Sequence, residues 1–266
     1  MYFRWKGYGQ TEGSAAATIS HPNDVSTVGH VGGPTGVVEI ALYDVPEMGY
    51  LQTDQSNRGT PCQGRGEICI RGPNVFKGYY KDPEKTRETI DDEGWLHSGD
   101  IGLWRLDGAL QIIDRKKNIF KLSQGEYVAP EKIENILIRS AFIAQCFVYG
   151  DSVQSSLVAI VVPDEDYVRT WVETNVPLLS TSSIDEICNN PALTSVVLSE
   201  IKDISRQNQL QGFEIVKAIR LNPMPFSVEN DFMTPTFKLK RQKIRDMHEK
   251  TITDMYNDMK KPISKL

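Results

Sequence analysis

An unbroken run of six apolar residues at positions 157–162, LVAIVV, limits most strongly what this chain can fold into. A short run of this kind between polar segments is typical of a strand buried inside a domain. Residues 146–149 and 214–221 are further candidates for strands, and helical patterns lie around and between them. We therefore predict an α/β domain over residues 114–266.

Several helices are predicted in that domain. Pro130 begins one, because proline suits the first turn of a helix, and Ile133, Ile136 and Leu137 fall on one face. The remaining helices are predicted at residues 165–173, 191–208 and 242–260. The last of them carries an apolar stripe, which we expect to face the core or a docking surface, at Ile244, Met247, Ile252, Met255, Tyr256 and Met259.

Residues 1–113 differ in character and are predicted to consist mainly of strands and turns. The candidate strands are residues 37–45, 66–72 and 109–113. Residues 51–63, rich in Gln, Thr, Asn, Gly and Pro, predict a surface loop. A short helix is predicted to open at Asp82, because Pro83 and an acidic residue follow it.

Composition excludes some classes of protein. The net charge is −5, with both signs scattered along the chain, which argues against a nucleic-acid partner. No apolar run approaches the ~18 residues of a membrane span, so no transmembrane segment is predicted. The first residues lack the apolar core of a signal peptide. The four cysteines form no CxxC pair, which favours free thiols in a reducing compartment.

The sequence ends in Ser264, Lys265 and Leu266. A terminal Ser-Lys-Leu is an address read by the peroxisomal import receptor. The alternative is a chance tripeptide after a helix. We predict a peroxisomal location, with the cytosolic face of the endoplasmic reticulum or another membrane as the alternative.

The segment that holds Tyr8, Gly9, Thr11 and Glu12 has the residue types of a phosphate site. Glycine allows a ligand to approach the backbone closely. The Thr11 hydroxyl can bond a phosphate oxygen, and the Glu12 carboxylate suits Mg²⁺, which prefers oxygen ligands beside substrate phosphates. The alternative interpretation is a turn without a binding role, since such pentapeptides are common.

Two further polar segments are candidates for ligand contacts. Asp100 follows a glycine and can accept both hydroxyls of a ribose, although such an aspartate is also common in a cap or an Asx-turn. Asp114 and Arg115 follow an apolar strand. They are either a solvated charge run or a hinge with an arginine that reaches ribose or phosphate.

The C-terminal part adds two more candidates. Gly125 lies in the segment 120–127 and again allows close approach to the backbone. Lys238 follows a predicted turn, and a mobile lysine can neutralise charge on a transferring phosphoryl group.

The order and spacing of these motifs resemble the adenylate-forming enzymes, and within them the long-chain acyl-CoA synthetases of the peroxisomal plant type. The stretches that carry the resemblance are residues 64–80, 94–102, 113–134 and 125–135. The resemblance implies a β-rich remnant of a large AMP-binding domain over residues 1–113. It also implies a small, mobile α/β domain over residues 114–266, so that the fold class is α/β (α+β).

The resemblance implies a two-step ligase reaction. A long-chain fatty acid attacks the α-phosphate of ATP to give an acyl-adenylate, and CoA then displaces AMP. Carried over residue by residue, Tyr8 and Gly9 lie at the adenine, Thr11 contacts phosphate, Asp100 takes the ribose hydroxyls, and Arg115 assists.

Five other roles follow from the same resemblance. Glu12 is expected to bind Mg²⁺ and, with Thr11, to take part in adenylation. Lys238 is expected to stabilise its transition state. Asp114 is the expected hinge between half-reactions. Gly125 and Glu126 are expected along the CoA passage.

The sequence departs from the family pattern in two respects. A Ser/Thr/Gly-rich phosphate loop is expected upstream of Tyr8 and does not occur in these 266 residues, so we expect the chain alone to be nearly inactive. Phe237 stands where many members have glycine. The alternative functions are a non-catalytic fragment that binds CoA or a partner, and a ligase for a different carboxylic acid.

Overall fold

The computed structural model describes residues 6–21, 29–57 and 59–260. Its contacts divide the chain into two compact units, unit 1 (Met1–Asn118) and unit 2 (Ile119–Leu266). The sequence predicts a domain boundary after residue 113 because a hinge is expected at Asp114. One conformation does not show a hinge motion, so this boundary stays a prediction. The terminal Ser-Lys-Leu lies outside the described residues.

Unit 1 is built from short strands and one helix in its described part. In chain order these are β1 (Gly7–Tyr8), β2 (Thr18–Ile19), β3 (Gly33–Pro34), β4 (Glu39–Tyr43), β5 (Ser56–Asn57), β6 (Thr60–Pro61), β7 (Arg65–Arg71), α1 (Pro83–Thr89), β8 (Leu96–Trp104) and β9 (Leu110–Arg115). The principal sheet is antiparallel, in the order β4-β7-β8-β9. Strands β1, β2 and β3 form a second small sheet.

The core of unit 1 lies on one face of the principal sheet. Ile68 and Ile70 of β7, Leu96 of β8 and Leu110 of β9 are all fully buried there. The strand predicted for residues 66–72 is confirmed as β7, although its burial does not alternate, because every residue from Gly66 to Ile70 is buried. The other two predicted strands are confirmed as β4 and β9.

Two local predictions for unit 1 had different outcomes. The helix predicted at Asp82 is confirmed as α1, because the Asp82 carboxylate accepts the backbone N–H of Lys85 at 3.0 Å. The loop predicted over residues 51–63 needs correction. It contains the two-stranded ladder of β5 and β6, which residue composition alone did not reveal.

Unit 2 alternates strands and helices. In chain order these are β10 (Phe120–Lys121), β11 (Tyr127–Val128), α2 (Pro130–Leu137), β12 (Ile143–Tyr149), β13 (Leu157–Pro163), α3 (Glu165–Asn175), α4 (Ile184–Cys188), α5 (Pro191–Gln207), β14 (Val216–Leu221), α6 (Arg241–Met247) and α7 (Glu249–Lys260). The sheet order is β12-β13-β14, antiparallel between the first two and parallel between the last two.

The apolar run 157–162 forms the central strand β13, and both of its faces are buried. Leu157, Ala159 and Val161 pack with residues of α2, α3 and α5. The alternate residues of β13 pack with α6 and α7 instead. Unit 2 is therefore a three-layer α/β domain, as the sequence predicted.

The single helix predicted over residues 242–260 is wrong. The structure contains two helices, α6 and α7, separated at His248. The His248 ring packs against Phe226, and no glycine or proline in the sequence marks this break. Met247 is 66% exposed and Met259 is 37% exposed, so these two do not belong to the buried stripe.

Helix α4 was not predicted, although the sequence contained a signal for it. The Ser183 hydroxyl accepts the Glu186 N–H, and the Glu186 carboxylate accepts the Ser183 N–H. This reciprocal capping box follows from a Ser and a Glu three residues apart.

The described residues contain no bilayer-spanning helix, since none combines the required length with the required apolar character.

Candidate active site

A polar pocket of about 330 Å³ opens in unit 1. Its volume lies at the lower end of the ~300–1,000 Å³ typical of ligand pockets. Its lining comes from the middle of β8 and the end of β9, and consists of Ser98, Gly99, Asp100, Arg115, Lys116 and Lys117. One carboxylate thus lies among several cations.

The register of the sheet brings the carboxylate of this pocket and one of its cations together. Asp100 of β8 lies directly opposite Arg115 of β9. Their side chains form an ion pair, with 3.3 Å between Arg115 Nε and Asp100 Oδ1. Two residues that sequence analysis singled out separately are therefore cross-strand neighbours.

Tyr8 reaches the same carboxylate from β1. Its hydroxyl donates to Asp100 Oδ2 at 2.8 Å. Burial raises the pKa of Tyr8 far above its ordinary value, and the nearby Asp100 charge raises it further. Tyr8 is therefore a neutral donor at any physiological pH, and Asp100 accepts from it.

The turn after Tyr8 depends on Gly9. A side chain at this position would place its Cβ only 1.4 Å from the carbonyl oxygen of Ala15, so no other residue fits without moving the backbone. A 3₁₀ turn over Thr11–Gly13 follows, in which Thr11 is exposed and Glu12 is half-buried. The predicted phosphate-site residues thus lie on a tight turn beside β1.

Glu12 is held by the segment that follows β7. The Tyr79 hydroxyl donates to Glu12 Oε1 at 2.8 Å, and the Phe76 N–H donates to the Glu12 carbonyl at 2.7 Å. The hydrogen bond to Glu12 raises the pKa of Tyr79, so this phenol also stays neutral. Sequence analysis named Tyr79 only as part of a family stretch and assigned it no role.

A bound Mg²⁺ fits this turn as a partner of phosphate, with Glu12 as the protein carboxylate. The described residues contain no group of three His, Cys, Asp or Glu side chains arranged to hold a metal. Mg²⁺ in nucleotide enzymes is commonly held by one or two carboxylates together with substrate phosphates. The single half-buried carboxylate of Glu12 suits that mode of binding.

Asp114 adjoins the pocket but is turned away from solvent. It is 1% exposed, and its carboxylate accepts the backbone N–H of Arg115 at 2.6 Å. It lies opposite Ile101 in the ladder of β8 and β9. A buried aspartate at the end of a strand is compatible with the predicted hinge role, which stays a prediction.

In unit 2, Gly125 occupies the turn between β10 and β11. Its φ of +99° lies in the region that favours glycine, and the space beside its Cα is open. The adjacent Glu126 is half-buried, and one of its carboxylate oxygens is buried without a hydrogen-bond partner among the described residues.

Lys238 is exposed on a second turn of unit 2. The Thr234 hydroxyl accepts its backbone N–H at 3.1 Å, and its carbonyl accepts the N–H of Thr234 at 2.8 Å. Phe237, directly before it, has a φ of +57° and is 74% exposed. This left-handed conformation explains why many family members have glycine here.

The structure thus brings Tyr8, Asp100 and Arg115 together, whereas Thr11 and Glu12 lie on the separate turn after β1. The other candidates, Gly125, Glu126 and Lys238, lie in unit 2. Sequence analysis missed two supporting residues, Tyr79 beside Glu12 and Glu67 beneath Gly99. Both lie in the stretch 64–80, so the resemblance marked the segment. Only the fold shows which of its side chains reach the site.

Comparison with known proteins shows what the chain is similar to. Residues 4–80 match the family model described as AMP-binding enzyme, and residues 132–191 match that of the AMP-binding enzyme C-terminal domain. The adenylation domain of a carboxylic acid reductase from Segniliparus rugosus, solved with AMP, is 29% identical with a TM-score of 0.78. That likeness covers 96% of this chain and 35% of the other. Residues 4–80 and 132–191 thus resemble the corresponding parts of AMP-binding enzymes.

Within that class, the chain is similar to long-chain acyl-CoA synthetases. It is 49% identical to the peroxisomal long chain acyl-CoA synthetase 6 of Arabidopsis thaliana over 254 residues, which cover 96% of this chain and 35% of that protein. It is 46% identical to the long-chain-fatty-acid–CoA ligase 1 of Homo sapiens over 256 residues, with the same coverage. The chain thus spans about a third of the length of these relatives.

Proposed function

We propose that this chain carries the ribose-binding edge and the C-terminal domain of an AMP-forming long-chain fatty acid–CoA ligase. The proposal is supported by the 49% identity to a long chain acyl-CoA synthetase and by the site in unit 1. In the first half-reaction a fatty acid oxygen attacks the α-phosphorus of ATP and pyrophosphate leaves. In the second, the CoA sulfur attacks the acyl carbon, a thioester forms, and AMP leaves with the electron pair of the broken C–O bond.

The arrangement around Asp100 carries the proposal. A carboxylate offers about four lone-pair positions on two oxygens. Tyr8 donates to one on Oδ2, and Arg115 Nε faces Oδ1 in an ion pair at 3.3 Å, which we count as a second. Two positions remain, which is the number that the two hydroxyls of a ribose need. Tyr8 and Arg115 thereby fix the carboxylate for this purpose.

The phosphate side is supplied by the other pocket residues. Arg115, Lys116 and Lys117 place positive charge beside Asp100. On the separate turn after β1, Thr11 offers a hydroxyl and Glu12 would hold Mg²⁺. When bound, that ion would neutralise phosphate charge.

Unit 2 supplies the groups that the two half-reactions use in turn. In the proposed mechanism Lys238 stabilises the negative charge that builds up on the α-phosphate during adenylation. Rotation about Asp114 then brings Gly125 and Glu126 to the site for thioester formation, a hinge mechanism. Gly125 and Glu126 would then line the passage of the CoA arm.

The location proposed for the enzyme is the peroxisome. Two of its relatives are named peroxisomal, which supports this location.

The ribose site is tested by calorimetric titration of the chain with AMP. We expect saturable binding that Asp100→Ala weakens by about tenfold or more, since hydrogen bonds to a charged group are lost. Asp107→Asn is the matched control, because the exposed Asp107 lies in the turn between β8 and β9 and pairs there with Arg105. Equal affinity of the wild type and Asp100→Ala would contradict the proposed site.

The competing functions are separated by turnover. Acyl-CoA formation from palmitate, ATP and CoA would exclude a purely binding role. CoA binding without turnover and without AMP binding would favour a non-catalytic fragment. Turnover with short or aromatic acids but not with palmitate would identify a ligase for another carboxylic acid.

A further inference from the structure

Glu67, a residue of β7, lies beneath the pocket and contacts both of its walls. Its side chain is 10% exposed. Oε1 accepts the backbone N–H of Gly99 at 3.0 Å, and Oε2 lies 3.4 Å from Lys116 Nζ. Gly99 and Lys116 both line the pocket, on β8 and after β9 respectively.

The need for a carboxylate here follows from an irregularity in the sheet. Glu67 pairs with Ile101, whereas Cys69 pairs with His97, so a single residue of β7 faces residues 98–100 of β8. Such a bulge leaves backbone groups without their ladder partners and redirects the side chains around it. The Glu67 carboxylate replaces the lost partner of the Gly99 N–H.

The same bulge is fixed from the other side. The Gly99 carbonyl accepts the backbone N–H of Lys116 at 2.8 Å, and Gly99 has a φ of +71°. Gly99 is thus held at its N–H by Glu67 and at its carbonyl by Lys116. Asp100 is the next residue, so its position depends directly on these two bonds.

We propose that Glu67 is a positioning residue of the nucleotide pocket, which holds residues 98–100 and Lys116 in the arrangement that lets Asp100 and the basic residues face one ligand. The proposal rests on the function proposed for this pocket. Glu67 acts through Gly99 and Lys116 and need not touch the nucleotide itself.

The groups that face Glu67 keep it ionised. Burial alone would raise the pKa of Glu67, but the hydrogen bond from His97, the charge of Lys116 and the N–H of Gly99 together hold it below its ordinary value. His97 Nδ1 lies 3.6 Å from Glu67 Oε2, and its Nε2 lies 3.3 Å from Asp91. A charged carboxylate can therefore hold the backbone and the lysine at once.

The structure offers a matched control for Glu67. Glu47 also approaches Lys116, with 3.8 Å between Oε1 and Nζ, but its side chain is 59% exposed. Glu47 thus shares the lysine partner of Glu67 and lacks its place beneath the bulge. Removal of its charge tests the effect of a nearby carboxylate alone.

The test uses the whole chain with Glu67→Ala, Glu67→Gln and Glu47→Gln. Amide hydrogen exchange of Gly99 is measured by NMR, and AMP affinity is measured by calorimetry. For Glu67→Ala we expect Gly99 exchange to accelerate by about tenfold or more relative to the amides of β7, and AMP affinity to fall by about tenfold. Glu47→Gln should change both by less than about twofold.

Glu67→Gln keeps an oxygen for Gly99 but turns an NH₂ group toward Lys116 and His97. We expect it to retain Gly99 protection and to weaken AMP binding, which a purely structural residue would not do. If Glu67→Ala fails to fold, this isosteric variant decides the question by the same two measurements.

Two results would overturn the proposal. One is unchanged AMP affinity in both Glu67 variants. The other is an equal acceleration of all amides of unit 1, which would show a general loss of stability. If the wild type does not bind AMP at all, the proposed function of the pocket fails. Selective acceleration at Gly99 then still decides whether Glu67 positions the bulge.

Discussion

Phe237 has a backbone conformation that its residue type does not favour. It sits in the turn before Lys238 with a φ of +57°, a conformation that costs an L-residue roughly 1–2 kcal/mol. Its side chain is 74% exposed and so recovers little of that cost by burial. The left-handed backbone at this position suits glycine.

We predict that Phe237→Gly stabilises unit 2 by up to about 1 kcal/mol. The relief of the left-handed strain exceeds the roughly 0.5–1 kcal/mol that the extra freedom of an unfolded glycine costs. Phe237→Ala is the control, because it keeps the strain and should fall within about 0.5 kcal/mol of the wild type. Urea denaturation measures both, and equal stability of the two variants would contradict the prediction.

His97 gives a prediction for pH. Hydrogen bonding with the Cys69 thiol and with Glu67 raises its pKa from 6.5 to about 10. Because the pKa of His97 is higher in the folded than in the unfolded state, its protonation contributes to the free energy of unfolding. This contribution is fully present below pH 6.5 and is lost as the pH rises through about 10. We expect the unfolding free energy of the wild type to fall over this window more steeply than that of His97→Gln.

The comparison for His97 is His248→Gln. Burial lowers the pKa of His248, so its contribution changes only below its ordinary pKa of 6.5 and not in the alkaline window. Unfolding curves at several pH values between 7 and 10 supply the slopes. The prediction fails if His97→Gln and the wild type lose stability in parallel.

At the scale of elements, a buried ion pair joins the two sides of unit 2. Arg241, at the start of α6, donates from Nη1 to both oxygens of Glu134 in α2 at 2.9 Å, and from Nη2 to the Val148 carbonyl in β12 at 2.7 Å. Glu134 in turn accepts the Val148 N–H at 2.7 Å. These contacts among Arg241, Glu134 and Val148 fix the start of α6, three residues after Lys238.

We predict that Arg241→Ala destabilises the protein by about 3–5 kcal/mol, since it leaves the Glu134 carboxylate buried without its partner. The double variant Arg241→Met with Glu134→Leu should recover most of that loss, because both charges are gone. Arg206→Ala is the control, since its pair with Asp203 is exposed and should matter by less than about 1 kcal/mol. Thermal and urea unfolding compare the set. A decrease in unfolding free energy of less than about 1 kcal/mol for Arg241→Ala would show that the Arg241–Glu134 ion pair contributes little to stability.

At the scale of the whole molecule, the proposed ligands divide between the units. The ribose and phosphate residues lie in unit 1, and the candidates for CoA and for the phosphoryl lysine lie in unit 2. The two half-reactions of the proposed ligase would use this division, because each needs a different set of groups at one reacting centre.

Amide hydrogen exchange, measured with and without each ligand, tests whether AMP binds unit 1 and CoA binds unit 2. AMP should protect residues 98–117, whereas CoA should protect the turn between β10 and β11 around Gly125. Gly125→Val should abolish the effect of CoA and spare that of AMP, because only glycine suits its φ of +99°. Protection by CoA elsewhere in unit 2 would remove Gly125 and Glu126 from the proposed passage.

The sequence by itself determined the buried strand β13, the α/β alternation of unit 2, the β-rich character of unit 1 and the resemblance to AMP-binding enzymes. These follow from local periodicity and from motif order, which are properties of neighbouring residues. It did not reveal the break between α6 and α7 at His248. Only the tertiary structure joined Tyr8 and Arg115 to Asp100, Tyr79 to Glu12 and Glu67 to Gly99. These pairings depend on strand register and on a bulge, which arise from contacts between residues far apart in the chain.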